Sequence, residues 1–344
     1  MKHRILFVGR LSYNDSPCAG EVKKNQLLLN RLLEFNELKI QTVDTINCIG
    51  RLAYGKTLLI ILIKSYWGRR KIVLSTYDGS ATIFLRFFKK FGLKKNILYW
   101  VIGGGIGKKI IEGQYPINLF KTLDHIIVED QDIEKQMKDC GLKQVRTVPN
   151  FKPIPAVQKK KSNSSTFKFL YLSRITPLKG CDMIIAAAKQ LERKNIKISI
   201  DFYGPIENDY PFKEYIKDVH SISYKGIMSL ISESDYEYIS QYDVLLFPTY
   251  YPNEGFPGVM IDGFIAGLPI MTTNWRYNSH IVEHGKTGWL LPIQDSEALA
   301  NLMEEIVIGK HDLSSMTNNC FIRAKEFDTK SVITTELLTE LGLL

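Results

Sequence analysis

With 344 residues, 45% of them hydrophobic and 24% charged, the chain can bury two ordinary domain cores, which excludes a disordered polypeptide and a small stapled scaffold. Five cysteines, odd in number and without CxxC or Cys/His ligand spacing, exclude a disulfide framework and a zinc site and fit a reducing compartment. The net charge of +9 is unevenly divided: residues 1–152 hold 26 basic and 13 acidic residues, the remainder 19 and 23.

The start, MKHRILFVGRL, has a strand-like run but no long apolar region or small-residue cleavage site, so a cytoplasmic location is expected. RILFVG (4–9) reads as a buried strand and GEVKKNQLLLNRLLEF (20–35) as an amphipathic helix. The loop between them carries one glycine next to the helix, Gly20, and either phosphate contact or plain turn chemistry accounts for it. TLLIILI (57–63) is broken by Lys64, far short of the roughly 20 apolar residues that span a bilayer. LKIQTV, KIVLST, NILYWVI and HIIVED then read as short apolar strands separated by helices, the pattern of a parallel sheet wound on both faces.

After NILYWVI comes Gly103-Gly104-Gly105-Ile106-Gly107, at a strand's carboxyl end, where open sheets bind ligands; a flexible glycine turn is the other reading. Asp130-Gln131-Asp132 has the look of a metal motif, but it opens a helix, where acids act as caps. His125 is read as a structural histidine, and no metal is required. TVPNF (147–151) reads as a strand closing in a Pro-Asn turn, and residues 153–166, proline-rich, then basic, then serine-rich, as a linker.

A second sheet is expected from FKFLYL (167–172). Its first loop, Ser173 to Gly180, places Arg174 and Lys179 five residues apart before a helix, a pair of cations that repel unless an anion of diphosphate size lies between them. ISIDFYG (198–204) and SISYKGI (221–227) follow as strands. Then VLLFP leads through a Pro/Tyr/Asn loop to Glu254-Gly255 and a helix from Gly258 to Ala266, a corner whose free amides and helix dipole attract anions. Glu254 serves that site or merely caps the helix. HIVEHGKTGWLLP (280–292) reads as a short helix, a glycine turn and a strand.

The run from Glu254 to Asp262, with Gly267-Leu268-Pro269 and the loop Arg174-x-x-x-x-Lys179-Gly180, resembles the donor site of retaining GT-B glycosyltransferases of family 4. The family's two glutamates, with seven residues between them, correspond to Glu254 and the shorter Asp262. The resemblance implies an α/β GT-B fold, with two Rossmann-like domains facing each other across a cleft. The domains are expected at 1–152 and 167–344, the last helix packing back on the first.

The activity implied is retaining transfer of a sugar from a nucleotide-sugar, a UDP-sugar, to a hydroxyl of a lipid-linked glycan in polysaccharide biosynthesis. Arg174 and Lys179 would hold the diphosphate and Glu254 the sugar hydroxyls. Gly255 and the amides around Phe256, Gly258 and Val259 would complete the grip, with Asp262 on the ribose. Gly204, Ile227 and Met228 would border the nucleotide, and Gly20, Gly103, Gly104 and Gly105 the acceptor. No metal or other cofactor is implied.

Rivals are a sugar-nucleotide 2-epimerase of the same fold and a non-catalytic scaffold. A glycosidase fits poorly, because eight helical positions rise about 12 Å and hydrolase carboxyls sit roughly 5–9.5 Å apart. The basic first half, with Arg69-Arg70-Lys71 and FLRFFKKFGLKK (84–95), suits a peripheral position on an anionic membrane better than nucleic acid.

Overall fold

The computed structural model describes residues 2–12, 20–46, 48, 50–68, 70–93, 96–160 and 166–344. The expectations touching Cys18, Arg69, Lys94, Lys95 and the serine stretch 161–165 lie outside the described residues. The chain divides into two compact units, residues 1–150 with 329–344, and residues 151–328.

In the first unit β1 (His3–Gly9), β2 (Leu38–Asp44), β3 (Lys71–Tyr77), β4 (Ile97–Ile102), β5 (His125–Val128) and β6 (Val145–Thr147) form a parallel sheet in the order β2-β1-β3-β4-β5-β6. The strands are nearly unbroken apolar runs because helices cover such sheets on both faces, and Ile5 to Val8 and Ile97 to Val101 are all buried. Between them run α1 (Gly20–Leu33), α2 (Arg51–Gly68), α3 (Asp78–Lys90), α4 (Ile106–Ile111) and α5 (Gln131–Asp139). Asp130 caps α5, its carboxylate accepting from the Asp132 amide at 2.7 Å, as the sequence reading expects. β6 ends at Thr147, short of the strand expected to 151, because Pro149 has no N–H to give the ladder.

The second unit repeats the design with β7 (Phe167–Leu172), α6 (Cys181–Arg193), β8 (Ile198–Tyr203), α7 (Phe212–Tyr215), β9 (Ile222–Tyr224) and α8 (Glu233–Ile239). Next come β10 (Val244–Phe247), α9 (Gly258–Ile265), β11 (Ile270–Thr273), α10 (Asn278–Ile281) and β12 (Gly288–Leu291). The sheet order is β12-β11-β10-β7-β8-β9, all parallel. β9 stops at Tyr224, before the residues first read as its end, since Gly226 turns left-handed at φ 85°.

α6 and α11 (Ser296–Val307) pack into one core cluster of this sheet, and α8, α9 and α12 (Leu313–Glu326) into another. Described residues of the segment read as a linker cluster with this unit. The chain then ends in α13 (Thr329–Val332) and α14 (Thr335–Glu340), which belong to the first unit. There the Arg31 Nε donates to the Ile333 carbonyl at 3.0 Å and the Lys71 Nζ to that of Leu341 at 2.5 Å.

In each sheet the chain reverses its direction of travel once, between β1 and β3 and between β7 and β10, and the carboxyl ends of strands at such a switch point are where open sheets form a crevice. Below the first crevice, fully buried Asn25 ties both strands together. Its amide nitrogen donates to the carbonyls of Arg10 (3.1 Å) and Ser75 (3.2 Å), and its Oδ1 accepts from the Ser75 hydroxyl (2.6 Å). Asn25→Ala strands these groups in the core and should cost about 1–3 kcal/mol. The midpoint of denaturant unfolding followed on the first unit should fall accordingly; an unchanged midpoint would show that the bridge is dispensable.

Candidate active site

At the second crevice the loop after β7 and the loop after β10 are bonded to each other. The Tyr250 amide donates to the Leu178 carbonyl at 2.9 Å. Gly180, left-handed at φ 80°, lies so close to Pro248 that a Cβ there would sit 2.2 Å from the Pro248 oxygen. From the other side, the loop after β8 supports residues 173–176. The Ser173 amide donates to the Tyr203 carbonyl, the Ile175 amide to that of Pro205, and the Thr176 hydroxyl to Glu207 at 2.6 Å.

Gly204 makes that approach possible: at φ 148° it lies against the Ser173 carbonyl, where an added Cβ would sit 1.8 Å from the oxygen. Its amide donates to the Gly226 carbonyl and its own carbonyl accepts from the Tyr224 hydroxyl. Gly204 is therefore buried beneath the loop and supports residues 173–176. Ile227, exposed, and Met228, half-buried, follow this junction; among the described residues neither hydrogen-bonds to the 173–180 loop.

The two cations of the loop differ. Lys179 pairs with the Glu254 carboxylate, which also accepts from the buried Thr249 hydroxyl at 2.9 Å. The ammonium lies over the rings of Phe247 and Tyr251, 5.1 and 5.0 Å from their centroids. Glu254 thus does not cap α9; no side chain caps that helix, and its N-cap, Pro257, brings no N–H. The amides of Gly258 and Val259 open its first turn, where helical partners are lacking. Arg174 is exposed, anchored only through its backbone carbonyl, which accepts from the Tyr171 hydroxyl at 2.7 Å. Its guanidinium makes no hydrogen bond or ion pair among the described residues.

Asp262, read as the ribose ligand, is paired within the protein. On α9 it is 6% exposed, and one carboxylate oxygen accepts both the Lys152 ammonium and the Tyr236 hydroxyl, the latter at 2.7 Å. Burial and then the Asp262 charge hold the Tyr236 phenol well above its ordinary range, so it stays a donor. Lys152, read as the end of the first domain, belongs to the second unit, its amide bonded to the Phe327 carbonyl. Lys152, Tyr236 and Thr249 were not singled out from sequence, since nothing local marks partners so far apart along the chain. Phe256 is 9% exposed and packs edge-on against Phe327, and Gly255 is half-buried beside it.

The first unit has a cavity of about 310 Å³ at its own crevice, lined by Arg10, Glu21 and Thr76 and by the rings of Tyr54, Tyr77 and Phe84. Glu21 is 6% exposed and accepts from the Thr76 hydroxyl at 2.9 Å. Burial raises its carboxyl above the usual range, against the opposing effects of Thr76 and Arg10. No motif announced this cavity. Gly20 is exposed at the start of α1, Gly103 is half-buried in a left-handed turn (φ 92°), and Gly104 and Gly105 are buried at the start of α4.

Residues 155–322 match the family model described as Glycosyl transferases group 1. The amylovoran biosynthesis glycosyltransferase AmsK of Erwinia amylovora is 25% identical over 158 residues, 42% of this chain and 37% of that protein. The match therefore spans well under half of the relative's length. Among solved structures, HepE of Anabaena in complex with UDP and glucose superposes with a TM-score of 0.70 at 15% identity, over 99% of this chain and 100% of that one. The lipopolysaccharide outer core galactosyltransferase WaaB gives 0.71 at 14%, again over 99% and 100%. At such identity the likeness shows the fold, and the fold is GT-B, as expected. The family match and the relatives support a glycosyltransferase enzyme.

The pair formed by Lys152 and Asp262 is open to a direct measurement. Lys152→Met should cost about 3–5 kcal/mol, because the carboxylate is left buried without its cation. Adding Asp262→Asn should restore part of that loss. Strictly additive losses in unfolding free energy would mean that the two side chains do not interact.

Proposed function

We propose that the chain transfers a glycosyl group from a nucleotide-sugar, a UDP-sugar, to a hydroxyl of a lipid-linked glycan in bacterial polysaccharide assembly, with retention at the anomeric carbon. The observation that carries the reading is the asymmetry on one loop at a topological switch point: Arg174 exposed and its guanidinium without a partner among the described residues, Lys179 held by Glu254. The polysaccharide relative and the UDP-holding structural neighbour support it.

Breaking a sugar–phosphate bond builds negative charge on the departing diphosphate, so cations placed for that charge lower the barrier. Arg174 is available for a diphosphate at once. Lys179 becomes available by exchange: as its ammonium turns to the phosphate, Glu254 accepts hydroxyls of the donor sugar, and neither charge is left alone. The first turn of α9 adds amides at Gly258 and Val259. The acceptor oxygen bonds to the anomeric carbon as the bond to phosphate breaks, and the leaving diphosphate takes the acceptor's proton. No metal is needed in this scheme, since the two cations and the amides neutralise the leaving group. The acceptor is assigned to the first unit, with its cavity beside Glu21 and the glycines Gly20 and Gly103 to Gly105, and the basic character of the first half of the chain supports a position on the cytoplasmic face of an anionic membrane.

Two outcomes are expected. In a thermal-shift panel of UDP-, GDP- and ADP-sugars, a UDP-sugar at 100 times its dissociation constant should stabilise the protein by about 2.7 kcal/mol. Stabilisation by none of them would remove the donor assignment. In turnover assays, Arg174→Ala and Glu254→Gln should each lower kcat about 10²–10³-fold with the fold intact. Activity should survive EDTA. Normal turnover by Arg174→Ala with saturating donor, or activity lost to EDTA and restored by Mn²⁺, would overturn the chemistry described.

A further inference from the structure

α2 turns an apolar stripe to solvent. Leu52 is 92% exposed, Leu59 56%, Ile63 48% and Tyr66 67%, and their spacing of seven, four and three residues puts them on one side of the helix. Leu58, Ile61 and Ser65 occupy the opposite side and are buried. The helix is thus apolar all round although only half of it is covered. α3 meets α2 where the rings of Tyr54 and Phe84 lie 6.1 Å apart; Ile83 on α3 is exposed, as is Phe91 just past its end. Exposed apolar side chains gathered in this way mark an interaction site.

Charge selects the occupant. Between residues 45 and 111 the sequence holds 13 lysines and arginines and a single acid, Asp78, which is itself engaged by Lys109. Lys56 lies on the stripe, and Arg86, Lys89 and Lys90 are exposed on α3; none of the four forms an ion pair among the described residues. A second copy would bring the same positive charge to the same face. An anionic bilayer offers what both components lack, a plane of negative headgroups for the cations and an apolar layer below it for the leucines, isoleucine and tyrosine. No described helix is long and apolar enough to cross a membrane. A helix of 18 residues, about 27 Å long, lies in the interface instead.

We propose that α2 is the membrane-inserting element of the protein, lying in the headgroup plane with Leu52, Leu59, Ile63 and Tyr66 directed into the bilayer and the cations of α2 and α3 on anionic lipid. This rests on the membrane position proposed above and names the surface responsible for it. It is independent of the donor chemistry, because docking needs no sugar nucleotide.

The test is binding of the purified full chain to vesicles of phosphatidylcholine with phosphatidylglycerol, against phosphatidylcholine alone. Wild type should cosediment with the anionic vesicles and be weakened several-fold at about 0.5 M salt. Leu59→Ser with Ile63→Ser should weaken binding at least tenfold while the melting temperature and the UDP-sugar thermal shift stay unchanged, because both side chains are exposed and neither belongs to the donor site. Lys89→Glu with Lys90→Glu should remove most of the preference for anionic lipid. Wild-type binding that the serine substitutions leave intact would overturn insertion through α2 and keep only a basic surface. No binding to either vesicle would overturn the membrane position as well, without touching the donor assignment. A lipid-free dimer abolished by the serine substitutions would make the stripe a self-association face and overturn the proposal.

Discussion

Two carboxylates eight residues apart on one strand-to-helix corner are each neutralised by a lysine from a different segment, Lys179 for Glu254 and Lys152 for Asp262. The functional end of the second unit depends on this. Both carboxylates are nearly buried, and an isolated charge in that position is costly, so the segments that bring the lysines cannot drift from α9 without exposing the cost. The first pair fastens the loop after β7 to the loop after β10. The second fastens the stretch where the unit begins to the helix that follows the site. Glycines complete the construction: Gly180 and Gly204 let backbones meet at distances that any side chain would prevent.

Much of this was legible in the sequence because parallel sheets write themselves as unbroken apolar strands alternating with amphipathic helices. The strands from RILFVG to VLLFP, the cations of the 173–180 loop and the helix after Gly258 stand where the pattern puts them. The parts that were not legible are those fixed by distance in space. Lys152 sits in a Phe-Lys-Pro stretch that reads as the edge of a linker, and its partner lies 110 residues on. Nothing near Asp262 in the sequence announces that Lys152 and Tyr236 meet on one of its oxygens. The solvent-facing stripe of α2 was hidden for another reason: a helix apolar on every side has no periodicity to show which side the core takes.

The two units repeat one geometry with different chemistry. At the reversal of each sheet lies a crevice, yet the first unit lines its own with Arg10, Glu21 and aromatic rings, and the second with two cations and a helix start. Asn25 and Gly204 are counterparts in task, each holding the floor of its crevice, one by side-chain hydrogen bonds and the other by having no side chain.

The bond between Lys179 and Glu254 acts as a filter on what can occupy the second crevice. A bare phosphate that captured the lysine would leave the glutamate charged in a nearly dry place, and a neutral sugar that engaged the glutamate would orphan the lysine. Only a molecule carrying both an anion and hydroxyls, spaced to reach the two together, exchanges partners without leaving a loser. The abundant inorganic anions of a cell would thereby compete poorly, because the pairing of Lys179 with Glu254 works against them.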